Sequence, residues 1–323
     1  MTYPTISDFV TAVRNAAGRF AKLEVKPVVD DNGNPVFVAG NFAAVFKATV
    51  APGDQLVAIK MFTRDLPQLQ RRQQMVVDLV ERLGARHLVD IGFMPDEIFV
   101  TSMIASGNEF PVVLMPWIEG ETMGSAVKRL CHKLHGKGLA ALTRAWASIC
   151  LDMLGKGIAH GDLKHDNVLV TPQGQLRLID YDSFFAPPLK GLPSVLLGGN
   201  SFQHPRRDSR HFDATLDHFS MLVFALSLRA LTLDPGLYET YNTGENFILS
   251  REDFVARAPT ALTGRLLESS DSLVRKWTDL LLKIPRSGSI AVPGMKQVLR
   301  DAQRVTEEPV SGRQGGAFSF LGR

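Results

Sequence analysis

The chain has 323 residues, of which 45% are hydrophobic and 21% charged, as is ordinary for a globular protein of one large or two smaller domains. The formal net charge of +3 is too small to indicate nucleic-acid binding without a clustered basic patch. The two cysteines, Cys131 and Cys150, have neither metal-ligand spacing nor a disulfide framework, which favours a reducing compartment. Because no long apolar run and no signal-like N-terminus occur, we expect a cytoplasmic protein that binds no membrane.

The N-terminal third is rich in strand signals. Residues 1–21 predict a short amphipathic helix, with Ser7 and Asp8 as its N-terminal cap. Residues 22–62 predict an antiparallel meander, because an Asn-Gly turn and the turn APGD separate its apolar runs. A helix is then expected to end at Gly84. Further strands are expected around 88–93 and 111–115, followed by a hinge-like segment near 116–120.

Beyond residue 120 the pattern becomes helical. Residues 140–155 have apolar side chains at helical spacing, and LDHFSMLVFALSLRAL (216–231) is apolar almost all round, which predicts a buried core helix. Between these helices, QLRLIDY (175–181) predicts a short strand. The last residues, from 307 on, look like a flexible tail.

Two polar loops carry the candidate chemistry. In IAHGDLKHDNVLV (158–170), Asp162 and Asn167 are five residues apart, and Asp180 follows at the end of the predicted strand. Two carboxylates and an amide on converging loops can hold a divalent metal and orient a hydroxyl group. Lys164 adds a positive charge that could meet a transferring phosphoryl group. For any one of these residues, a solvated surface loop explains the charge equally well.

The order of these residues resembles that of eukaryotic-type (Hanks-type) Ser/Thr protein kinases, in a divergent bacterial form. His160-Gly161-Asp162-Leu163-Lys164, Asn167 and Asp180 match the catalytic loop and the metal-binding Asp, and Val57-Ala58-Ile59-Lys60 matches the strand motif whose Lys holds phosphates. GNSFQHPR (199–206) is similar to the end of an activation segment, and DHFS (217–220) to the start of the helix that anchors the catalytic loop. The resemblance runs from about residue 36 to residue 230.

The resemblance implies an α+β, bilobal protein-kinase-like fold with an antiparallel-sheet N-lobe and a mainly helical C-lobe. It divides the chain into an N-terminal helical extension (1–21), an N-lobe (22–116), a C-lobe (117–306) and a tail (307–323). The cofactors implied are ATP and Mg²⁺. Asp162 would accept or orient the hydroxyl proton, Lys164 would steady the γ-phosphate, and Asn167 and Asp180 would bind the metal. The implied ATP-binding residues are Lys60, Gly40, Val45, Ala58, Met115 and Ile118, and Asp217 is expected to anchor the catalytic loop.

Several positions depart from the family pattern. Val38 and Ala43 stand where two glycines of the phosphate-binding loop are usual, and Gly161 replaces the Arg that pairs with a phosphorylated activation loop. Asp182 ends the motif Asp180-Tyr181-Asp182, in which Gly is usual. Gln74 and Asp78 are the candidates for the helix acid that should pair with Lys60, and neither is the expected Glu.

Outside these motifs, the cluster HPRRDSR (204–210) is best explained as a solvated basic face, and His165 and His204 as histidines without a metal.

Three functions remain open from the sequence. The first is an ATP- and Mg²⁺-dependent Ser/Thr protein kinase. The second is a pseudokinase that binds nucleotide, or none, and acts as a docking or regulatory module. The third is a small-molecule phosphotransferase of the aminoglycoside or choline kinase kind. A protein substrate or regulatory partner is expected, with a phosphatase or a von Willebrand A domain protein as candidates, and no nucleic acid or membrane.

Overall fold

The computed structural model describes residues 2–66, 68–286 and 289–310. It divides into two compact units, one formed by Met1–Glu119 with Arg177–Asp182 and the other by Gly120–Leu176 with Ser183–Arg323. In the described residues, the first unit contains an antiparallel sheet and the second is mainly helical. This confirms the α+β class and is consistent with a bilobal protein-kinase-like fold.

The sheet of the first unit has the strand order β1-β3-β4-β6-β5, with β2 paired to β3, and its neighbouring strands are antiparallel. The meander predicted over 22–62 is therefore confirmed. Strand β4 is buried along most of its length, as expected for a central strand of Val, Ala, Ile, Met and Phe. The strands are β1 Val25–Pro27, β2 Phe37–Ala39, β3 Ala43–Val50, β4 Gln55–Phe62, β5 Gly92–Phe99 and β6 Glu109–Pro116.

Two helices complete this unit. Helix α1 spans Ile6–Arg14, and its cap is Thr5, which forms a capping box with Asp8. The predicted helix is confirmed, but its cap lies before Ser7, because Asp8 occupies the third helical position. Helix α2 spans Leu69–Leu83 and ends at Gly84 in the left-handed region, as predicted.

Strand β5 differs from the expectation of a strand around 88–93, because it lies at Gly92–Phe99. The apolar pattern of the sequence did not locate this strand correctly, because a charged residue, Glu97, is buried within it. Its carboxylate accepts the backbone N–H groups of Lys22 and Leu23 at 2.9 and 2.8 Å, so the buried charge is hydrogen-bonded.

The second unit packs its helices around α5, which is buried almost all round. The ring of Trp146 on α4 stacks on Phe224 of α5 with centroids 4.2 Å apart. The core helix and the helix over 140–155 are thus confirmed. The helices are α3 Met123–His132, α4 Gly136–Lys156, α5 His218–Leu233, α6 Leu237–Tyr241, α7 Arg251–Val255, α8 Ala261–Leu267, α9 Ser272–Lys283 and α10 Met295–Ala302, with short 3₁₀ helices at Pro187–Leu189 and Ile284–Arg286.

Short strands border the polar loops. Strand β7 (Glu121–Thr122) pairs with β8 (Val168–Val170), and β9 spans Leu176–Leu178.

Near the C-terminal end of the described residues, Arg229 and Asp271 form a fully buried ion pair, and Arg229 also donates to the backbone carbonyl of Glu308. The tail was predicted from residue 307, but the backbones of Glu308 and Val310 are hydrogen-bonded to this pair, and the rest of the predicted tail, 311–323, lies outside the described residues. Within the described residues, none of the helices is both long and apolar enough to cross a membrane.

Candidate functional site

One face of the sheet collects most of the predicted nucleotide-binding residues. Val45 on β3, Lys60 on β4 and Val113 on β6 form one cross-strand row. Ala58 pairs with Met115 in another row two residues away, and side chains two residues apart on a strand share a face. Val45, Ala58, Lys60 and Met115 therefore lie on the same face of the sheet.

The remaining two predicted contacts lie at strand ends. Gly40 lies in the turn between β2 and β3, where its N–H donates to the Ala43 carbonyl at 2.8 Å. A Cβ at Gly40 would make only an ordinary contact at 3.6 Å, so the turn itself does not demand glycine. Ile118 is half-buried beyond the end of β6. The backbone N–H of the preceding residue, Trp117, donates to the Leu56 carbonyl.

Lys60 lies in a cluster of charged side chains. Its Nζ is 2.6 Å from Asp180 Oδ1 and 2.6 Å from Asp182 Oδ2. Burial alone would lower the pKa of Lys60, but the charges of Asp180 and Asp182 outweigh burial and raise it. Burial raises the pKa of Asp182, while the charge of Lys60 lowers it and that of Asp180 raises it further. Lys60 is thus a buried, protonated ammonium that is held between two carboxylates.

The helix residue that reaches this cluster is Gln73. Its Nε2 donates to Asp182 Oδ1 at 3.0 Å. The two helix candidates from the sequence, Gln74 and Asp78, instead hydrogen-bond to each other at 3.0 Å on the exposed side of α2. The expectation that one of them pairs with Lys60 is wrong, because the helical phase turns position 73 towards the sheet and position 74 away from it.

The space beside Lys60 is small. A cavity of about 10 Å³, roughly room for one water molecule, is lined on its apolar side by Ile91, Val113 and Met115. Its polar side is formed by the cluster just described. The charged groups therefore touch one another directly, without space for a larger group among them.

In the second unit, Asp162 is the centre of the predicted catalytic loop. The Nδ2 group of Asn167 donates to the Asp162 carbonyl at 2.8 Å and to its Oδ2 at 3.2 Å. The Gly199 N–H donates to Asp162 Oδ1 at 3.2 Å, and Lys164 Nζ lies 3.9 Å from Oδ2. The fold thus brings Asp162, Lys164 and Asn167 together. Asp180 and Lys60 meet in the other unit.

The loop around Asp162 is anchored from below by a buried acid. The Asp217 carboxylate accepts the backbone N–H groups of His160 and Gly161, the latter at 2.9 Å. Burial raises the pKa of Asp217, and these contacts oppose the rise. The structural role expected for Asp217 is confirmed. His160 is itself buried, and its Nδ1 accepts the Asp162 N–H at 3.3 Å.

Gly161 meets a steric requirement. Its φ is +80°, and a Cβ at this position would lie 2.1 Å from the Ser183 carbonyl oxygen. The backbone conformation of the loop therefore excludes the Arg that is usual at this position. No side chain fits there without moving the chain.

Arg207 is the residue that the sequence interpretation placed wrongly. It was expected on a solvated basic face, but it is buried, and Nη1 donates to the Gly161 carbonyl at 2.6 Å and to Gln203 Oε1. Nη2 donates to Ser194 Oγ and to the Leu196 carbonyl. Charge clustering cannot tell a buried Arg from an exposed one. The only available signal was the proximity of Arg207 to the activation-segment motif.

His165 and His204, which the sequence predicts to bind no metal, pack against aromatic rings. His165 contacts Phe202 and Phe247 edge-on, with centroids 5.2 and 5.6 Å apart, and His204 contacts Phe219 in the same way. Throughout residues 2–66, 68–286 and 289–310, no group of three or more His, Cys, Asp or Glu side chains is arranged as a metal site.

Comparison with known proteins gives distant kinase relatives. No protein-family model matches the chain. It is 26% identical over 212 residues to serine/threonine-protein kinase PAK 4 of Mus musculus, covering 62% of this chain and 34% of that protein. It is 26% identical over 142 residues to CBL-interacting protein kinase 16 of Oryza sativa subsp. japonica, covering 44% and 29%. The matches thus span about a third of each relative's length and support a protein-kinase-like family.

Proposed function

We propose that the chain is an ATP- and Mg²⁺-dependent protein kinase that transfers the γ-phosphoryl group to Ser or Thr hydroxyls, of itself or of a protein partner. The observation that carries the proposal is the environment of Asp162. Its carboxylate is oriented by the Asn167 amide and the Gly199 N–H, as a group that must accept or orient a hydroxyl proton requires. Lys164 beside it supplies positive charge for the transferring group.

The donor atoms fit the implied cofactors. The Asp180 side chain is 39% exposed, so it can be reached from solvent. The nitrogen of the Asn167 amide is bonded to Asp162, which leaves the amide oxygen for a hard cation. Magnesium would neutralise the charge that develops on the phosphoryl group. Lys60 would hold the α- and β-phosphates on the sheet face that carries Val45, Ala58 and Met115.

A second candidate is a pseudokinase that binds nucleotide, or none, and serves as a docking or regulatory module for a protein partner. The direct contact of Lys60 with two carboxylates, around a cavity of about 10 Å³, favours it. A cytoplasmic location is proposed for either function, since both Cys131 and Cys150 are unpaired, buried thiols.

The proposal is tested by phosphoryl transfer from labelled ATP to the protein itself and to generic protein substrates. We expect Asp162→Asn to lower transfer by about 100-fold or more, because the loop loses its proton acceptor. Asp166→Asn is the matched control, since its carboxylate belongs to the same loop and is 58% exposed, and its transfer should equal that of the wild type. Equal transfer by Asp162→Asn and the wild type would contradict the kinase proposal.

The pseudokinase is distinguished by thermal shift. A kinase should be stabilised by ATP with Mg²⁺, and Lys60→Ala should lose that stabilisation. A wild type that transfers no phosphoryl group, and whose melting temperature is unchanged by ATP, would support a docking module that binds no nucleotide.

A further inference from the structure

The acid that holds Lys60 comes from an unexpected segment. Within the described parts of the chain, the ion pairs of Lys60 are with Asp180 and Asp182, and helix α2 contributes the neutral amide of Gln73. A catalytic lysine needs a fixed ammonium, and a flexible four-carbon stem does not provide this by itself. Another residue must therefore position Lys60.

The two carboxylates differ in accessibility although both are 2.6 Å from Nζ. The Asp180 side chain is 39% exposed, whereas that of Asp182 is 7% exposed and is enclosed by Lys60 and Gln73. Asp180 can thus reach a ligand from solvent while it contacts Lys60. Asp182 is occupied with protein groups through both oxygens.

Tyr181 fixes the backbone between these two acids. Its hydroxyl donates to the Leu178 carbonyl and accepts the Val89 N–H, both at 2.6 Å, and its ring is buried. Asp180 adopts φ +70°, a conformation that Asp tolerates better than most residues. With the tyrosine tied on both sides, the carboxylate of Asp182 has little freedom to leave Lys60.

We infer that Asp182 is the positioning residue for Lys60 and takes the role that an acid on helix α2 would otherwise have, with Gln73 orienting it. The inference rests on the proposed function, in which Lys60 holds phosphates. An ammonium has three N–H donors, and the two carboxylates use two of them. The third N–H is the one that would donate to a phosphate oxygen in the proposed function. The substitution of Asp for Gly at 182 and the lack of Glu on α2 are thus one coupled change.

The test exchanges the two groups. Asp182→Asn removes the charge and keeps the size of the side chain. The double variant Gln73→Glu, Asp182→Asn restores one amide and one carboxylate in reversed positions. We measure kcat and KM for ATP in phosphoryl transfer, and the dissociation constant of ATP by calorimetry.

We expect Asp182→Asn to lower kcat by about 100-fold, as for a misplaced catalytic group, and to weaken ATP binding. The double variant should recover at least about 10-fold of that loss, because a coupled pair behaves non-additively. Gln74→Glu is the matched control, since it adds the same charge one residue away on the exposed side of α2, and its kinetics should be those of the wild type.

Three results would overturn the inference. The first is an Asp182→Asn variant with wild-type kinetics and ATP affinity, the second is a double variant as impaired as Asp182→Asn, and the third is a wild type that binds no ATP. Only the third also contradicts the proposed function, so the two failures are distinguishable. If Asp182→Asn does not fold, Gln73→Leu removes the orienting donor and should lower kcat while the carboxylate remains. Unchanged kcat in that variant would also overturn the inference.

Discussion

The cluster around Lys60 and the loop around Asp162 both depart from the kinase pattern, but the structure accommodates the departures by different means. In the loop, Gly161 replaces a charged residue, and Arg207 from a later segment binds the Gly161 carbonyl. In the cluster, the charge pattern itself changes, because Asp182 carries the carboxylate and Gln73 the amide.

The difference shows what kind of contact sustains each site. Asp162 is held largely through backbone groups and the buried side chains beneath them, so its geometry depends on the fold of the loop. Among the described residues, the Lys60 ammonium is held by side chains, so its position depends on their charges. Substitutions in the loop should therefore act first on stability, and substitutions in the cluster on nucleotide binding.

The largest effect is expected from Arg207→Met. This variant removes a buried guanidinium and leaves the carbonyls of Gly161 and Leu196 and the Gln203 amide oxygen without their donor. We expect the free energy of unfolding to fall by about 3–4 kcal/mol, since each buried acceptor left unsatisfied costs about 1 kcal/mol or more. Urea denaturation followed by tryptophan fluorescence measures it.

Arg210→Met is the control for that variant. Arg210 belongs to the same basic cluster but is exposed and pairs only with Asp208 among the described residues. Its unfolding midpoint should be that of the wild type. If the two arginine variants lose equal stability, Arg207 does not hold the loop.

The next largest effect is expected from Gly161→Ala, which separates the steric requirement for glycine in the loop from the requirement for a positive φ. Gly161→Ala combines a positive φ with a contact of 2.1 Å to the Ser183 carbonyl, whereas Gly174→Ala has a similar φ, +74°, and nothing within 4 Å. We expect a loss of about 2–4 kcal/mol in unfolding free energy for Gly161→Ala and about 1–2 kcal/mol for Gly174→Ala. Equal losses would show that Gly161 is needed only for its φ. Installing the Arg of the family pattern at 161 should be at least as costly as Ala.

Much of the fold was predictable because local signals agree with it. The meander, the helix α1 without its exact cap, the stop at Gly84 and the core helix α5 follow from turn residues and apolar periodicity. Strand β5 was shifted because Glu97 is buried, and a buried Glu becomes tolerable only through backbone N–H groups some 75 residues away in sequence. Periodicity contains no information about such distant donors.

The site shows the same limit. The order of Lys60, Asp162, Asn167 and Asp180 was recognisable, and so was the anchoring role of Asp217. Neither the contact of Gln73 with Asp182 nor the burial of Arg207 could be read from local pattern. One signal was available. A missing helix acid and an extra Asp two residues after Asp180 are complementary changes, and together they point to a relocated charge.

The smallest effect is expected from Tyr181→Phe, which tests whether the backbone between the two acids must be fixed. The ring stays in place, but the hydroxyl bonds to the Leu178 carbonyl and the Val89 N–H are lost. We expect unfolding free energy to fall by about 1–2 kcal/mol, and ATP affinity to weaken with it, because Asp182 becomes less well held. The half-buried Tyr241 provides the control, since Tyr241→Phe should change neither quantity. A stability loss in Tyr181→Phe with unchanged ATP affinity would mean that Asp182 keeps its position through Lys60 and Gln73 alone.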